Sequence, residues 1–461
     1  MRKFLSIIMC LTLALGSFSA MAKAEEDSLF TDRDLSQEAE LTGAETIQLM
    51  DSSVTIDHAG VFVLSGTLEN GQVVVEAGDE DKVQLVLSGV DIHAETGAAI
   101  HVKSADKVFI TLAQGSENLL SAGEVTEDGV DGIIYSKADL TLNGLGTLTV
   151  TARTGQGIVC KDTLAITGGI YSIQAAGHGI SGKDALNIAD GSFTITTGGG
   201  SQAVEMKASD SFGGGRFTTA VQSEEEEVKA KGLKSDGPVT VLAGSFTLDC
   251  ADDAVHAGGD VTISGGRWTI RTADDAIHSD ENVTIGSGSF EISYCYEGIE
   301  GKNVTIDDGT IAIASTDDGI NATGEESASL FQGPGMDTGA VITVNDGEIT
   351  VVSGGDCLDS NGTIVLNGGK LNLTCNGNGN TALDSESGIT NNGAEVTTND
   401  GSENGGGFGG MGRGGRGQTG GNTGRGDRGQ MGGEPGQFGG KGQLNGDPPD
   451  DRFAPDSQPQ Q

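Results

Sequence analysis

A 22-residue step runs through the middle of the chain, and it limits the fold more than any other feature. Leu233, Val255, Ile277 and Ile299 lie 22 residues apart, and Ile320 follows 21 later. Each leads through a turn into a short β-branched run: Val239-Thr240-Val241, Val261-Thr262-Ile263, Val283-Thr284-Ile285 and Val304-Thr305-Ile306. Gly157-Ile158 and Gly179-Ile180 repeat the step of 22 earlier in the chain. A fixed period of this length, made of strand-sized segments, is the signature of a solenoid whose coils stack backbone on backbone. The expected fold is all-β, a parallel β-helix with about 22 residues per coil. With 77 Gly, only 7 Pro and 4% aromatic residues among 461, helical-bundle and membrane-helix classes fit poorly.

The segments on either side differ in character. Residues 1–24 carry Arg2 and Lys3, an apolar run from Phe4 to Leu15 and Ala22-Lys23-Ala24 at a cleavage point, which predicts a secretory signal peptide and an extracellular or cell-surface protein. Lipidation at Cys10 is disfavoured, because Met9 stands where a small residue is expected. Residues 25–56 read as an acidic leader, 57–396 as the β-helix and 397–461 as a disordered Gly/Arg-rich tail. Insertions are expected after Val204, around Glu224 to Glu227, and between Gly324 and Gly339. No later stretch has 18 apolar residues, so no membrane insertion is expected. The formal net charge of −41 argues against nucleic acid as a partner. The mature chain keeps five Cys, an odd number, with Cys250 and Cys295 two coils apart; mostly free, buried thiols are expected, and the protein is expected to be a monomer.

Stacking turns sequence registers into columns spaced by about 4.8 Å. Tyr171, Phe193, Phe246, Trp268, Phe290 and Ile311 form one column, each two residues after a Gly and two before an Ile or Leu. Side chains alternate along a strand, so both columns point inward, and Trp268 belongs to the core rather than to a sugar-stacking platform.

Three neighbouring columns are polar. Asp253, Asp275, Glu297 and Asp318 stand two residues before the apolar anchors, with Asp356 before Leu358; Asp252, Asp274 and Asp317 precede them by one. His256, His278, Glu300, Asn321 and Asp359 follow the anchors by one. Carboxylates about 4.8 Å apart repel by about 1 kcal/mol in water and about 3.5 kcal/mol at an effective dielectric near 20. Clustered hard oxygens of this kind suit Ca²⁺, so Asp252, Asp253, Asp274, Asp275, Glu297, Asp317, Asp318 and Asn321 are the expected metal ligands. Zinc fits less well, with two His among many carboxylates and no Cys in the column. A loosely screened, solvated acidic edge is the other reading. Lys161, Lys183, Lys207 and Lys302 stand three residues after their anchors, and Lys231 and Lys234 flank Leu233. Structural ion pairs are their default role, with contacts to a carboxylated ligand as the alternative. Lys231, Lys234, His256, His278 and Glu300 are the ligand-binding candidates.

The phrases Ala77-Gly78-Asp79-Glu80-Asp81-Lys82-Val83 and Lys103-Ser104-Ala105-Asp106-Lys107-Val108-Phe109, the Asp-Asp-Ala-Ile-His coils and the Gly-rich tail together carry a resemblance. Over roughly residues 57 to 396 the chain resembles a family of secreted bacterial carbohydrate-binding β-helix proteins with a pectate-lyase-like fold. The resemblance implies a right-handed β-helix, bound Ca²⁺, and affinity for plant cell-wall polysaccharide, including acidic polygalacturonate and cellulose. The leading expectation is therefore extracellular, non-catalytic, Ca²⁺-assisted polysaccharide binding. One alternative is a Ca²⁺-dependent polysaccharide lyase, with Arg271, Lys231 or Lys234 as base. Arg271 stands three residues before Asp274, but its column neighbour Asp249 offers it an ion pair. The other alternative is a Ca²⁺-stiffened structural or adhesive surface protein.

Overall fold

The structure is a computed structural model, which describes residues 29–124, 129–204, 229–324, 338–376 and 380–400. The expected signal peptide, the expected tail from 401 onward, the bulk of both insertions and Lys207 lie outside the described residues, while the last described strand, Glu395–Asn399, carries the solenoid into the segment from 397 expected to be disordered. Every strand pairing among the described residues is parallel, and each strand pairs with its counterpart one coil away, as in Val255↔Ile277 and Phe246↔Trp268. From Ile100 onward each coil contributes three strands, exemplified by Val255–Ala257, Val261–Ile263 and Arg267–Thr272, so the stack is a three-sided parallel β-helix. Face one, containing Val255–Ala257, is a separate sheet of 13 strands. Faces two and three form one sheet of 25 strands, because the long strand Lys82–Thr96 bends through both. No helix among the described residues is long and apolar enough to cross a membrane.

The expected inward columns fill the prism. Tyr171, Phe193, Phe246, Trp268 and Phe290 stack with near-parallel rings, their centroids 5.1, 4.8, 3.8 and 5.7 Å apart in succession. Aromatic pairs of this kind add about 0.5–1.5 kcal/mol each beyond their buried area. Trp268 is 1% exposed and satisfies its indole N–H on the Gly265 carbonyl, 3.2 Å away. The glycine two residues ahead of each aromatic turns the chain into face three at positive φ. Gly266 has φ +103°, and a Cβ there would lie 3.0 Å from the Gly244 carbonyl oxygen, so a side chain would collide with the coil below. The five Cys of the described residues are buried and form no disulfide with one another.

The strands begin ahead of Gly60. Glu45–Leu49 pairs with Gly60–Leu68, and Val54–Ile56 pairs with Val73–Glu76, so the solenoid starts inside the segment read as an acidic leader. Before it, a single helical turn, α1 (Asp32–Leu35), is capped by reciprocal Thr31–Asp34 bonds and lies against face two. Asp34 is buried, with Lys107 Nζ 2.8 Å from its Oδ1, and the Thr141 hydroxyl donates to the same oxygen. Arg33 lies 4.2 Å over the Phe109 ring. Apolar residues outside the period-two pattern explain this docking, since Phe109 points outward and needs a cover.

Candidate functional site: a carboxylate ladder at the turn into face one

The turn from face three to face one repeats on every coil, and the residue two before each face-one anchor points along the stack. From Ile180 onward this column reads His178, Lys231, Asp253, Asp275, Glu297, Asp318, Asp356 and Thr381. Geometry gives most of these side chains a backbone task. The N–H of Asp275 donates to Asp253 Oδ1 and that of Glu297 to Asp275 Oδ1, both at 3.1 Å. The N–H of Asp356 donates to Asp318 Oδ1 at 2.6 Å, and that of Thr381 to Asp356 Oδ1. One coil earlier the Lys231 N–H donates to His178 Nδ1 at 3.0 Å. The turn leaves one amide per coil without a strand partner, and an acceptor side chain from the preceding coil satisfies it. An acidic column is therefore useful to the fold before any ligand is considered.

Each ladder carboxylate keeps a second oxygen, and the protein neutralises these unevenly. At the N-terminal end Lys231 Nζ lies 2.8 Å from Asp252 Oδ1 and 2.6 Å from Asp253 Oδ2. His256 Nδ1 is 3.0 Å from the same Asp253 oxygen. Burial opposes ionisation of Asp253, yet the His256 hydrogen bond and the Lys231 charge together hold its carboxyl well below the usual range. Burial likewise opposes the charge on Lys231, but Asp253 and Asp252 raise its pKa. One coil on, His278 Nδ1 sits 3.0 Å from Asp275 Oδ2 and 3.1 Å from Glu300 Oε2. Against the burial that disfavours its charge, those two bonds push His278 up to about 11, so it is an imidazolium at neutral pH.

Beyond His278 the described residues place no cation on the column. Burial, with Glu300 and Asp275 adding to it, pushes Glu297 up to about 10. Burial and the surrounding carboxylates push Asp318 up to about 7 and Asp359 up to about 8. Among these groups the Asn321 amide donates to Glu297 Oε2 at 3.1 Å, while its own Oδ1 is buried without a hydrogen-bond partner among the described residues. An amide oxygen left bare beside several carboxylates in contact electrostatically is a donor set for a hard divalent cation. Glu297 and Asn321 at this end offer oxygens of the kind Ca²⁺ takes, while the acidic and histidine side chains that gather three ligand atoms within 4.8 Å of one another lie at Asp252, Asp253 and Asp274 and around His278.

The other expected site residues divide in the same way. Asp274 joins Asp252 and Asp253 in a cluster whose ligand atoms lie within 4.8 Å of one another, as do Asp253, His256 and His278, and Asp275, His278 and Glu300. Asp317 sits beside Asp318 on the outer side of the turn and adds to its repulsion. The sequence reading left out Asp384, which continues the Asn321–Asp359 column because Leu383-Asp384-Ser385 repeats Leu358-Asp359-Ser360. That internal repetition was the signal that could have found it. The proposed ion pair of Arg271 with Asp249 is not formed. Asp249 instead accepts the Ser201 N–H at 2.7 Å, and Arg271 lies 5.4 Å over the Tyr294 ring. A register shift between Ile270 and Arg271 moves Arg271 opposite Tyr294 and gives its guanidinium an aromatic face. Lys234 bonds to Asp236, and Lys161, Lys183 and Lys302 lie within ion-pair distance of Asp131, Asp184 and Glu281.

A parallel β-helix with an acidic ladder on one turn is thus the class of protein that fold and site define. The profile of a family described as "Carbohydrate-binding domain-containing protein" matches residues 50–217, 200–276 and 273–405, and the chain belongs to that family. A carbohydrate-binding domain-containing protein of Acetivibrio thermocellus is 38% identical over 135 residues, which cover 28% of this chain and 47% of that protein. The chain thus spans about half the length of the curated relative it matches. A solved structure of a polysaccharide lyase-like protein from C. thermocellum, a gadolinium derivative, shares 23% identity with a TM-score of 0.31. That alignment covers 70% of this chain and 96% of the other.

Proposed function

We propose that the protein binds plant cell-wall polysaccharide outside the cell without cleaving it, and that Ca²⁺ at the C-terminal half of the ladder assists. Family membership supports carbohydrate as the ligand. The observation that carries the Ca²⁺ reading is the bare Asn321 Oδ1, on a residue bonded to Glu297 and opposite Asp359 in register, where burial and repulsion from neighbouring carboxylates, Asp318 included, leave the acid groups short of a counter-charge. Asn321, Asp318, Asp359 and Glu297 would hold the ion, which would supply positive charge to an acidic sugar such as a galacturonate. Asp275 and Glu300, held by His278, would set the N-terminal edge of this site.

Absence of cleavage is supported by what the candidate bases are doing. A lyase needs a base that can give up its proton and reach the substrate. Lys231 is shared by two carboxylates that favour its charged form, Lys234 bonds to Asp236, and Arg271 rests on Tyr294. The test is binding of the full-length protein to polygalacturonate, its methyl ester and cellulose, with Ca²⁺ or with chelator, while unsaturated-uronate absorbance is followed. Binding to the acidic polymer that strengthens with Ca²⁺, without rising absorbance, is expected. Unsaturated products would replace this reading with the lyase, and indifference to Ca²⁺ would remove the metal from it.

A further inference from the structure

We infer that the N-terminal coils carry a second sugar-binding site, on the outer surface of face three, in which Arg153 recognises a carboxylate without a metal ion. It rests on the reading of the protein as a polysaccharide binder but uses different residues from the ladder. Two adjoining depressions of about 450 and 380 Å³ lie on this face, and both are lined by Thr151 and Arg153. The first continues over Thr149, Ser121 and His93, the second over Gln174 to Gly199. Register places these on successive coils: Asp91 opposes Leu119, Leu119 opposes Thr149, and Thr149 opposes Ser172. From the coil of His93 to that of Gly199 the groove runs about 19 Å along the stack, at about 4.8 Å per coil.

Its lining has the chemistry of a sugar surface. Outward hydroxyls and an amide, at period two on each strand and one coil apart, offer donors and acceptors to sugar hydroxyls. Leu119 is 48% exposed and gives an apolar patch for a pyranose face. Arg153 stands at the meeting point of the two depressions, exposed, and makes no ion pair among the described residues. Most lysines of the described residues lie within ion-pair distance of a carboxylate, as Lys231, Lys234 and Lys302 do. An unpaired guanidinium presents a planar fork that matches a carboxylate with two parallel hydrogen bonds. Asp91, at the far end of the larger depression, gives the groove a direction, since it repels an acid group that Arg153 attracts.

The site predicts that part of the affinity for acidic sugar survives removal of divalent cations. Titration calorimetry of the full chain with oligogalacturonate in chelator, at low salt, isolates it. Arg153→Ala is expected to weaken that binding about tenfold, and Arg153→Lys to recover only part of the loss. The same variant should leave binding of the methyl-esterified oligomer unchanged. Gln174→Ala should weaken both oligomers alike, because it meets hydroxyls and not the acid. Melting temperature is expected to stay at the wild-type value, since both side chains are on the surface. Wild-type affinity in Arg153→Ala overturns the site. So does wild-type protein that binds oligogalacturonate with Ca²⁺ but not in chelator, an outcome that leaves the ladder reading intact. Failure of the wild type to bind any of the polymers, with or without Ca²⁺, overturns the polysaccharide reading itself.

Discussion

Replacing Lys231 by Met should convert the strongest ion cluster of the ladder into its weakest point. The Lys231 side chain is 14% exposed and those of Asp252 and Asp253 are 7% and 4% exposed, so solvent cannot take over the neutralisation. Met keeps the length and apolar stem and deletes only the charge. Removing one partner of a buried ion pair costs about 3–5 kcal/mol, because the other charge is left in a poor solvent. For the 328 described residues at about 2.1 cal/mol/K each, this lowers the melting temperature by about 4–7 °C. Acid changes the gap between the two proteins in a definite direction. In the wild type the folded carboxyl of Asp253 is depressed, so its stabilisation is present above the unfolded pKa near 4 and is lost as pH falls through the lower folded value. Without Lys231 the carboxyl keeps the His256 bond but loses the lysine charge against burial, so its folded pKa lies higher than in the wild type and the variant's deficit narrows as the pH falls towards about 4. Scanning calorimetry in chelator at pH 7.5 and 5 reads both effects, and Asp253→Asn in the same background should recover much of the loss while retaining an acceptor for the Asp275 N–H. A variant as stable as wild type, or a deficit that widens at pH 5, would refute the cluster as described.

Other expectations follow from the same arrangement. In chelator, the carboxyls raised to about 7 at Asp275 and Asp318, about 8 at Asp359 and about 10 at Glu297 cost stability at alkaline pH and stop costing it as pH falls towards the unfolded values near 4. The chelated protein should therefore melt higher at pH 5 than at pH 8, and saturating Ca²⁺ should reverse that order because the ion needs the ionised forms; melting curves that fall with acid in chelator contradict the assignment. Asn321→Leu should reduce Ca²⁺ affinity by calorimetry about tenfold with little change in the chelated melting temperature, and unchanged affinity would take Asn321 out of the site. Trp268→Ala opens a hole between Phe246 and Phe290 and should cost about 3–5 kcal/mol in denaturant unfolding, a loss below about 1 kcal/mol being incompatible with the stacked column.

The solenoid was legible because its physics is local and repeated. A period of 22, a glycine forced to positive φ two residues before each aromatic, and alternation along each strand are all properties that one coil shows and the next confirms. Trp268 could be assigned to the core because five other residues occupy its register. The start of the fold was harder to read. Glu45–Leu49 and Val54–Ile56 are short and precede the regular period, and α1 earns its place only through Lys107, Thr141 and Phe109, residues far away in sequence. No local pattern announces a contact of that kind.

The ladder shows the same limit in sharper form. The columns stand in the register expected from the repeat, but a column records only which residue stands on which coil, and neutralisation depends on reach between columns. Lys231 occupies the ladder's own position and extends one coil forward to Asp252 and Asp253; His278 comes from the adjoining column and reaches Asp275 and Glu300. The five acidic residues of the column look equivalent in the sequence, yet two cations split them into Asp253 and Asp275, which are matched, and Glu297, Asp318 and Asp356, which are not. The hydrogen bonds from each next coil's N–H were hidden for a different reason, since backbone amides leave no mark on residue identity. They change the argument about charge: repulsion between successive carboxylates is partly offset by amides donating to Asp253, Asp275, Asp318 and Asp356, so the acidic column alone does not require a metal. What points to one is narrower, the bare Asn321 oxygen and the raised carboxyls around it. A metal-binding reading of such a column belongs to the coils where charge outlasts both the lysine and the histidine, and there the side chains that matter are Glu297, Asp318, Asn321 and Asp359.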